Sequence, residues 1–404
     1  MSRGKYGHPP ECMISSLPNE LLLAIFHLGI TTRDQLHNGK EAFPIRVSHV
    51  CQRWRALAVN SPTLWTTICF NAINYPLPYI ALYEARSMPL PLLLHFQFAA
   101  GELSSKQISC ASRLALRTSE LVIRFHDDIA LPTLLPLFEN APHLRSLQYS
   151  AALNANEPHP TTPERMMNFP ALQFLKVIKG CLSCLTPPSS VTSLYISNAS
   201  IDDSRLRAIV QECPLLETLA LLHYMPTSLS DQSPVESPRI KRFAIKLAGP
   251  LVDGLKSVAL SFPRLEYLEL MDEHTRLVLR ELFPSLPPSL HTLHLRGDID
   301  MDALLPFMYT CRGIRRLILS NVAFGPLIPS MDAWPKLESI DVDDRVKNSV
   351  DFTYDDSEAL ARLADLTRQR QDARPAFRTT VYNKRWRHEY PIFCAWEPST
   401  PMLL

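Results

Sequence analysis

Nine times between residues 140 and 345 the chain repeats a short phrase, an aliphatic anchor with a second apolar residue three places later, and in eight of the nine a proline or small residue stands two places before the anchor. The anchors are Leu144, Leu172, Val191, Leu216, Ile240, Leu265, Leu290, Ile314 and Leu337. The residues behind them are Leu147, Leu175, Leu194, Leu219, Phe243, Leu268, Leu293, Leu317 and Ile340. The last six anchors stand 24, 25, 25, 24 and 23 residues apart, a period at which each unit is one strand with a return segment. A unit of that size cannot bury its own apolar face, so neighbours must stack and share a core. The pattern therefore predicts an α/β solenoid of parallel strands with helices on the outside. Asp202 and Asp203, followed by Leu206, Ile209 and Val210, predict one capped return helix over 202–213. Segments 277–283 and 302–308 read the same way, with Pro306 shortening the second.

Composition supports a repeat array and narrows the function. Thirty-five prolines against 11 glycines fit many fixed entries into short elements, not the glycine-rich turns of a nucleotide-binding enzyme. Lys and Arg number 41 against 40 Asp and Glu, so no global field favours nucleic acid or membrane. Nine cysteines, scattered without a paired framework, predict reduced thiols and a cytoplasmic or nuclear address. The N-terminus lacks the apolar core of a signal peptide. The longest apolar runs are broken by Pro76, Pro78, Pro89 and Pro91, too soon for a membrane span.

No phosphate loop, nucleophile elbow or kinase motif occurs, so no catalytic residue, no cofactor and no enzyme activity is expected. Cys181 and Cys184 have zinc-ligand spacing but no second pair, and they read as a turn. His291 and His294 fall in a strand-like run, where a spacing of three points them to opposite faces. No metal site is expected.

Near the N-terminus, Leu17, Pro18, Glu20, Leu21 and Leu22 are followed by the pair Ile25 and Phe26. Further on come Val50, Cys51, Trp54 and Arg55, and then Ser61, Pro62, Thr63, Leu64 and Trp65. By spacing these are two short helices, the first opened by a proline. Together they resemble the F-box, the module that joins a substrate receptor to a cullin-type ubiquitin ligase through a small adaptor. The resemblance covers 13–65, with a loop inserted at about 30–45, and 1–12 are a flexible lead. It implies adaptor binding by Leu17, Pro18, Glu20, Leu21, Leu22, Ile25, Phe26 and Val50, with Trp54 as the module's own anchor. The repeats resemble an irregular leucine-rich-repeat array, as in fungal F-box-like proteins. That resemblance implies a horseshoe over 66–366 with its strands on the concave face.

Segments 90–96 and 121–125 read as buried strands of the first irregular repeats. A capped amphipathic helix over 355–366 closes the array, and 367–404 form a basic tail or cap containing Arg368, Arg370, Arg374, Arg378, Lys384, Arg385 and Arg387. Strand alternation turns Phe174, Lys176, Tyr195 and Asp341 outward, together with a client-binding lane of Arg242, Tyr267, Glu269, His294 and Arg316. The whole reads as a substrate-recognition subunit whose partners are the adaptor, cullin through it, and an unknown protein client. The alternative is a repeat scaffold that delivers nothing for degradation.

Overall fold

The structure, a computed structural model, describes residues 13–31, 43–71, 77–98, 104–125, 134–139, 141–151, 165–166, 169–178, 185–197, 201, 203–224, 233–247, 259–271, 283, 286–296, 310–320, 334–343, 356–374 and 376–382. They fall into two compact units, residues 1–199 with 211–216 and residues 200–210 with 217–404.

The first unit opens with three helices, α1 (Asn19–Thr31), α2 (Phe43–Ser48) and α3 (Gln52–Val59), bounded by single 3-10 turns at Met13–Ser16 and Pro62–Trp65. The sequence reading expected two helices here. It missed α2 because Pro44 and the break at His49 and Val50 hide a six-residue element. The expected inserted loop therefore ends by Phe43, and 32–42 lie outside the described residues.

Behind the helices run β1 (Thr67–Asn71), β2 (Leu92–Phe98), β3 (Thr118–Phe125) and β4 (Ser146–Ala151). Next come the two-residue strand β5 (Arg165–Met166), β6 (Phe174–Ile178), the two-residue strand β7 (Leu185–Thr186) and β8 (Ser193–Ser197). The long strands pair in parallel in the order β1, β2, β3, β4, β6, β8, and β5 pairs separately with β7. Helices α4 (Leu77–Arg86) and α5 (Ser105–Ala115) provide the first two crossovers. Ser104 caps α5 in a reciprocal box with Gln107, which satisfies two donors at the helix start.

The second unit carries β9 (Thr218–Tyr224), β11 (Arg242–Leu247), β13 (Tyr267–Met271), β14 (Thr292–Arg296), β15 (Arg316–Ser320), β16 (Ser339–Asp343) and β17 (Arg378–Tyr382), parallel and in that order. The short strands β10 (Val235–Glu236) and β12 (Leu260–Ser261) pair with each other. The return helix expected over 202–213 is present as Asp203–Glu212. Segments 277–283 and 302–308 lie outside the described residues, apart from the buried Phe283.

Every repeat anchor is buried, with at most 2 % of its surface exposed. The anchor N–H groups of Leu144, Leu172, Val191, Leu216, Leu265, Leu290, Ile314 and Leu337 donate to the carbonyl three residues earlier, at 3.0–3.4 Å. Each is thus the fourth residue of a β-turn. Pro142, Pro170, Pro214, Pro263, Pro288 and Pro335 sit second in those turns, where the fixed φ of proline suits the geometry. Six of the chain's 35 prolines are placed this way.

One carbonyl per unit then sets the register of the second sheet. The carbonyl after each anchor accepts both N–H groups that begin the next strand. Glu217 receives Lys241 and Arg242; Lys241 receives Glu266 and Tyr267; Glu266 receives His291 and Thr292; His291 receives Arg315 and Arg316 (2.7–3.1 Å). Ser190 and Ser289 add side-chain links, each hydroxyl donating at 2.8 Å to the anchor carbonyl of the preceding unit (Leu172 and Leu265).

Two expectations need correction at the C-terminal end. The helix predicted over 355–366 runs Asp356–Ala373, so a boundary at 366 would cut through it. Beyond it the tail contributes another repeat: the Phe377 N–H donates to the Arg374 carbonyl at 3.0 Å, Phe377 is buried, and β17 pairs with β16. An aromatic anchor in place of an aliphatic one concealed this unit. Lys384, Arg385 and Arg387 lie outside the described residues.

Candidate functional site

Two surfaces emerge, one in each unit. The first is built on α1. The Pro18 carbonyl accepts the first helical hydrogen bond, from the Leu22 N–H at 3.1 Å, and Glu20 stands in the first turn, where a carboxylate suits the helix dipole. Arg53 holds the helix start from α3. Its guanidinium donates to Asn19 Oδ1 (2.8 and 3.1 Å) and to the Leu17 carbonyl. Cys51 caps α3 through its sulfur, which accepts from the Trp54 N–H at 3.4 Å.

The inner side of α1 presents Leu22 and Phe26, both with no exposed surface. The Phe26 ring meets Trp54 edge-on at 5.0 Å and Phe43 at 6.4 Å. Gly29 lets the Phe43 ring lie on the helix, because a Cβ there would come within 2.2 Å of Phe43 Cζ. Trp65 closes the far end of the helical module. Its indole N–H donates to the Ala58 carbonyl at 2.7 Å, while its ring meets Tyr83 at 5.0 Å and the Arg86 guanidinium at 4.4 Å.

The outer side of α1 is apolar too. Leu21, Ile25 and Leu28, at helical spacing, are 51 %, 46 % and 62 % exposed. Ile14 and Val50, in the turns before α1 and between α2 and α3, are 48 % and 59 % exposed. Among the described residues the other exposed large apolar side chains are Met88, Leu116 and Leu215, and they are scattered. A folded helix with two apolar faces has one face more than its own core uses.

The second surface is the face of the second sheet formed by Arg242, Tyr267, Thr292, Arg316, Ser339 and Arg378, which are aligned by register, and by the residues two places on. Its centre is closed. Glu269 and His294 have no exposed surface, and Tyr267 is buried. The Tyr267 hydroxyl donates to Glu269 Oε2 at 2.9 Å and lies 2.9 Å from His294 Nδ1, while His294 Nε2 lies 3.0 Å from Ser320 Oγ. With the phenol O–H directed at Glu269, the phenol oxygen accepts from His294 in the tautomer that carries its hydrogen on Nδ1. Burial first, and then the Glu269 charge and its hydrogen bond, hold the Tyr267 phenol well above its ordinary value; Arg316 and Arg242 pull the other way. Glu269 Oε1 is buried without a hydrogen-bond partner. At the margin Arg242 and Arg316 are exposed, with Arg316 paired to Asp341 at 2.6–2.7 Å.

Two sets of expected site residues are thereby corrected. Leu22 and Phe26 do not offer their side chains to a partner, because they fill the module's own core; Ile14 and Leu28 belong to the exposed set instead. Leu17, Pro18, Glu20, Leu21, Ile25 and Val50 all keep surface in contact with solvent. Leu28 was legible as the next step of the stripe after Leu21 and Ile25; Ile14 carried no such signal. In the second sheet Tyr267, Glu269 and His294 form an enclosed network, so of the predicted lane only Arg242 and Arg316 stay exposed. In the first sheet Lys176 and Tyr195 are buried as well, with the ammonium 4.9 Å above the ring. The described residues contain no cluster of three potential metal ligands and no helix long and apolar enough to cross a membrane. Cys181 and Cys184 lie outside them.

Residues 14–71 match the family model described as F-box-like, so α1, α2, α3 and β1 form an F-box-like domain. Domains of this type bind adaptor subunits of SCF-type ubiquitin ligases and serve protein interaction. No curated protein matches the chain.

Proposed function

We propose that the protein is the substrate-recognition subunit of an SCF-type cullin-RING ubiquitin ligase. The helical module docks to the adaptor, and the repeats, read as an irregular leucine-rich-repeat solenoid, hold a protein client. The observation that carries this reading is the concentration of exposed apolar side chains in one F-box-like domain: Ile14, Leu21, Ile25, Leu28 and Val50. Covering the exposed half of each aliphatic chain gives on the order of 1 kcal/mol, and an outward stripe at positions 21, 25 and 28 suits a helix-in-groove contact. Pro18 and Glu20 stand exposed at the head of that stripe. Buried anchors and in-register parallel strands support the solenoid reading. Ubiquitin transfer belongs to other subunits, and this chain contributes proximity.

Co-purification with the adaptor tests the docking. The wild-type chain is expected to carry the adaptor through gel filtration, and Leu21→Asp with Ile25→Asp is expected to lose it while melting like the wild type. Undiminished capture by that double variant contradicts the assignment. Proteins labelled by proximity should then live longer when residues 14–71 are deleted; unchanged lifetimes favour a scaffold that delivers nothing for degradation.

A further inference from the structure

The chain as a whole is almost neutral, yet one edge of the second sheet is not. The five residues centred on each of the seven anchors that lead the strands of the second unit, Leu216, Ile240, Leu265, Leu290, Ile314, Leu337 and Phe377, hold nine Lys or Arg against three acids, Glu217, Glu266 and Glu338. The corresponding segments of the first unit, around Leu144, Leu172 and Val191, hold a single Arg145 and no acid. The shared-carbonyl ladder and the parallel register bring these segments to one level, strand after strand.

The charge is grouped. Arg239, Lys241, Arg242 and Arg264 form one cluster, and Arg312, Arg315, Arg316 and Lys336 a second. Between them lies the uncharged turn of Ser289, with His291 bonded to the Thr292 hydroxyl at 2.9 Å. All eight are exposed except Lys241, which is partly so. Lys241, Arg315 and Arg316 have carboxylate neighbours in Glu217, Glu338 and Asp341. Among the described residues Arg239, Arg264, Arg312 and Lys336 have no ion pair. Arg239, Arg264, Arg312 and Lys336 are the four that no carboxylate of the described residues offsets, and a bound acidic ligand supplies that counter-charge.

We infer that this edge is the docking surface for an acidic stretch of the client polypeptide; the inference rests on the receptor reading above and supplies its client class. The clusters are centred three strands apart, roughly 14 Å at ordinary strand spacing, which an extended chain spans in about four residues. The ligand therefore has two acidic groups centred about four residues apart. Nucleic acid fits less well, since Glu266 and Glu338 interrupt the edge and an evenly charged phosphate backbone cannot avoid them. A polypeptide places its carboxylates where the arginines are.

Fluorescence anisotropy of the full chain tests this, with a labelled peptide bearing two Glu doublets centred about four residues apart. Binding is expected to weaken with added salt, and to fall roughly tenfold or more in Arg239→Glu with Arg264→Glu and again in Arg312→Glu with Lys336→Glu. A peptide with its doublets adjacent is expected to bind more weakly. The Gln versions of both double variants guard against misfolding and should lie between the wild type and the Glu versions. Unchanged affinity in both Glu pairs overturns the inference, as does equal or tighter binding of duplex DNA of the same charge. Adaptor capture, measured on the same samples, separates the two readings. Lost capture with retained peptide binding sinks the receptor assignment alone, and retained capture without peptide binding sinks only this proposal.

Discussion

On α1, Leu21, Ile25 and Leu28 stand about half exposed, while on the strands of the second unit Glu269 and His294 are fully enclosed. Each region departs from the usual partition of apolar and polar residues, in opposite directions. The enclosed groups find most of their partners inside the fold, with tyrosine, glutamate, histidine and serine joined at 2.9–3.0 Å. The exposed leucines and isoleucine keep about half of their surface in water. A polar group buried with partners explains itself, whereas a contiguous apolar stripe in water implies another molecule.

The largest change expected is on the inner side of α1. Phe26→Ala should cost about 3–5 kcal/mol by leaving a cavity beside Trp54 and Phe43, read as a lower chemical-denaturation midpoint of the helical module. Gly29→Val comes next, at about 1–3 kcal/mol, because the new side chain must displace the Phe43 ring. Little change in the melting of either variant would mean that this side of α1 is not the packed one.

A smaller effect is expected at the buried network. Tyr267→Phe should cost about 1–2 kcal/mol, because Glu269 and His294, 3.3 Å apart, can still meet directly. Its signature is the pH profile. The phenol is held well above its ordinary value of 10.0 in the folded chain, so the neutral form is favoured by folding. That contribution is whole below pH 10.0 and is lost as pH rises through the raised value. Urea midpoints of the wild type should therefore fall more steeply above pH 10.0 than those of Tyr267→Phe; parallel profiles would argue against an enclosed phenol. The smallest effect is on the outer side of α1. Leu21→Asp with Leu28→Asp should shift stability by no more than about 0.5 kcal/mol, and a large loss would mean that these side chains are packed.

The repeats were legible because each anchor does the same physical job, closing a proline-led turn into a strand, and that job recurs at nearly constant spacing. Where the job passed to another residue type, as at Phe377, the unit was missed. Helix α1 was legible as amphipathic, but periodicity alone does not tell which of its two apolar stripes, Leu22 with Phe26 or Leu21 with Ile25, faces inward. That choice is made by Trp54 and Phe43, which arrive from elements later in the chain. The client lane failed for a related reason. Strand alternation places Tyr267, Glu269 and His294 on one face of a strand, but it is silent on whether that face meets solvent.

Hydroxyl-radical footprinting of the free chain and of its complex with the adaptor decides, residue by residue, whether the outer side of α1 is the docking face. A docking face there means oxidation of Leu21, Ile25, Leu28 and Val50 in the free protein, their protection in the complex, and silence at Leu22 and Phe26 in both. Leu21, Ile25 and Leu28 unreactive in the free chain, or equally reactive with and without the adaptor, would contradict it.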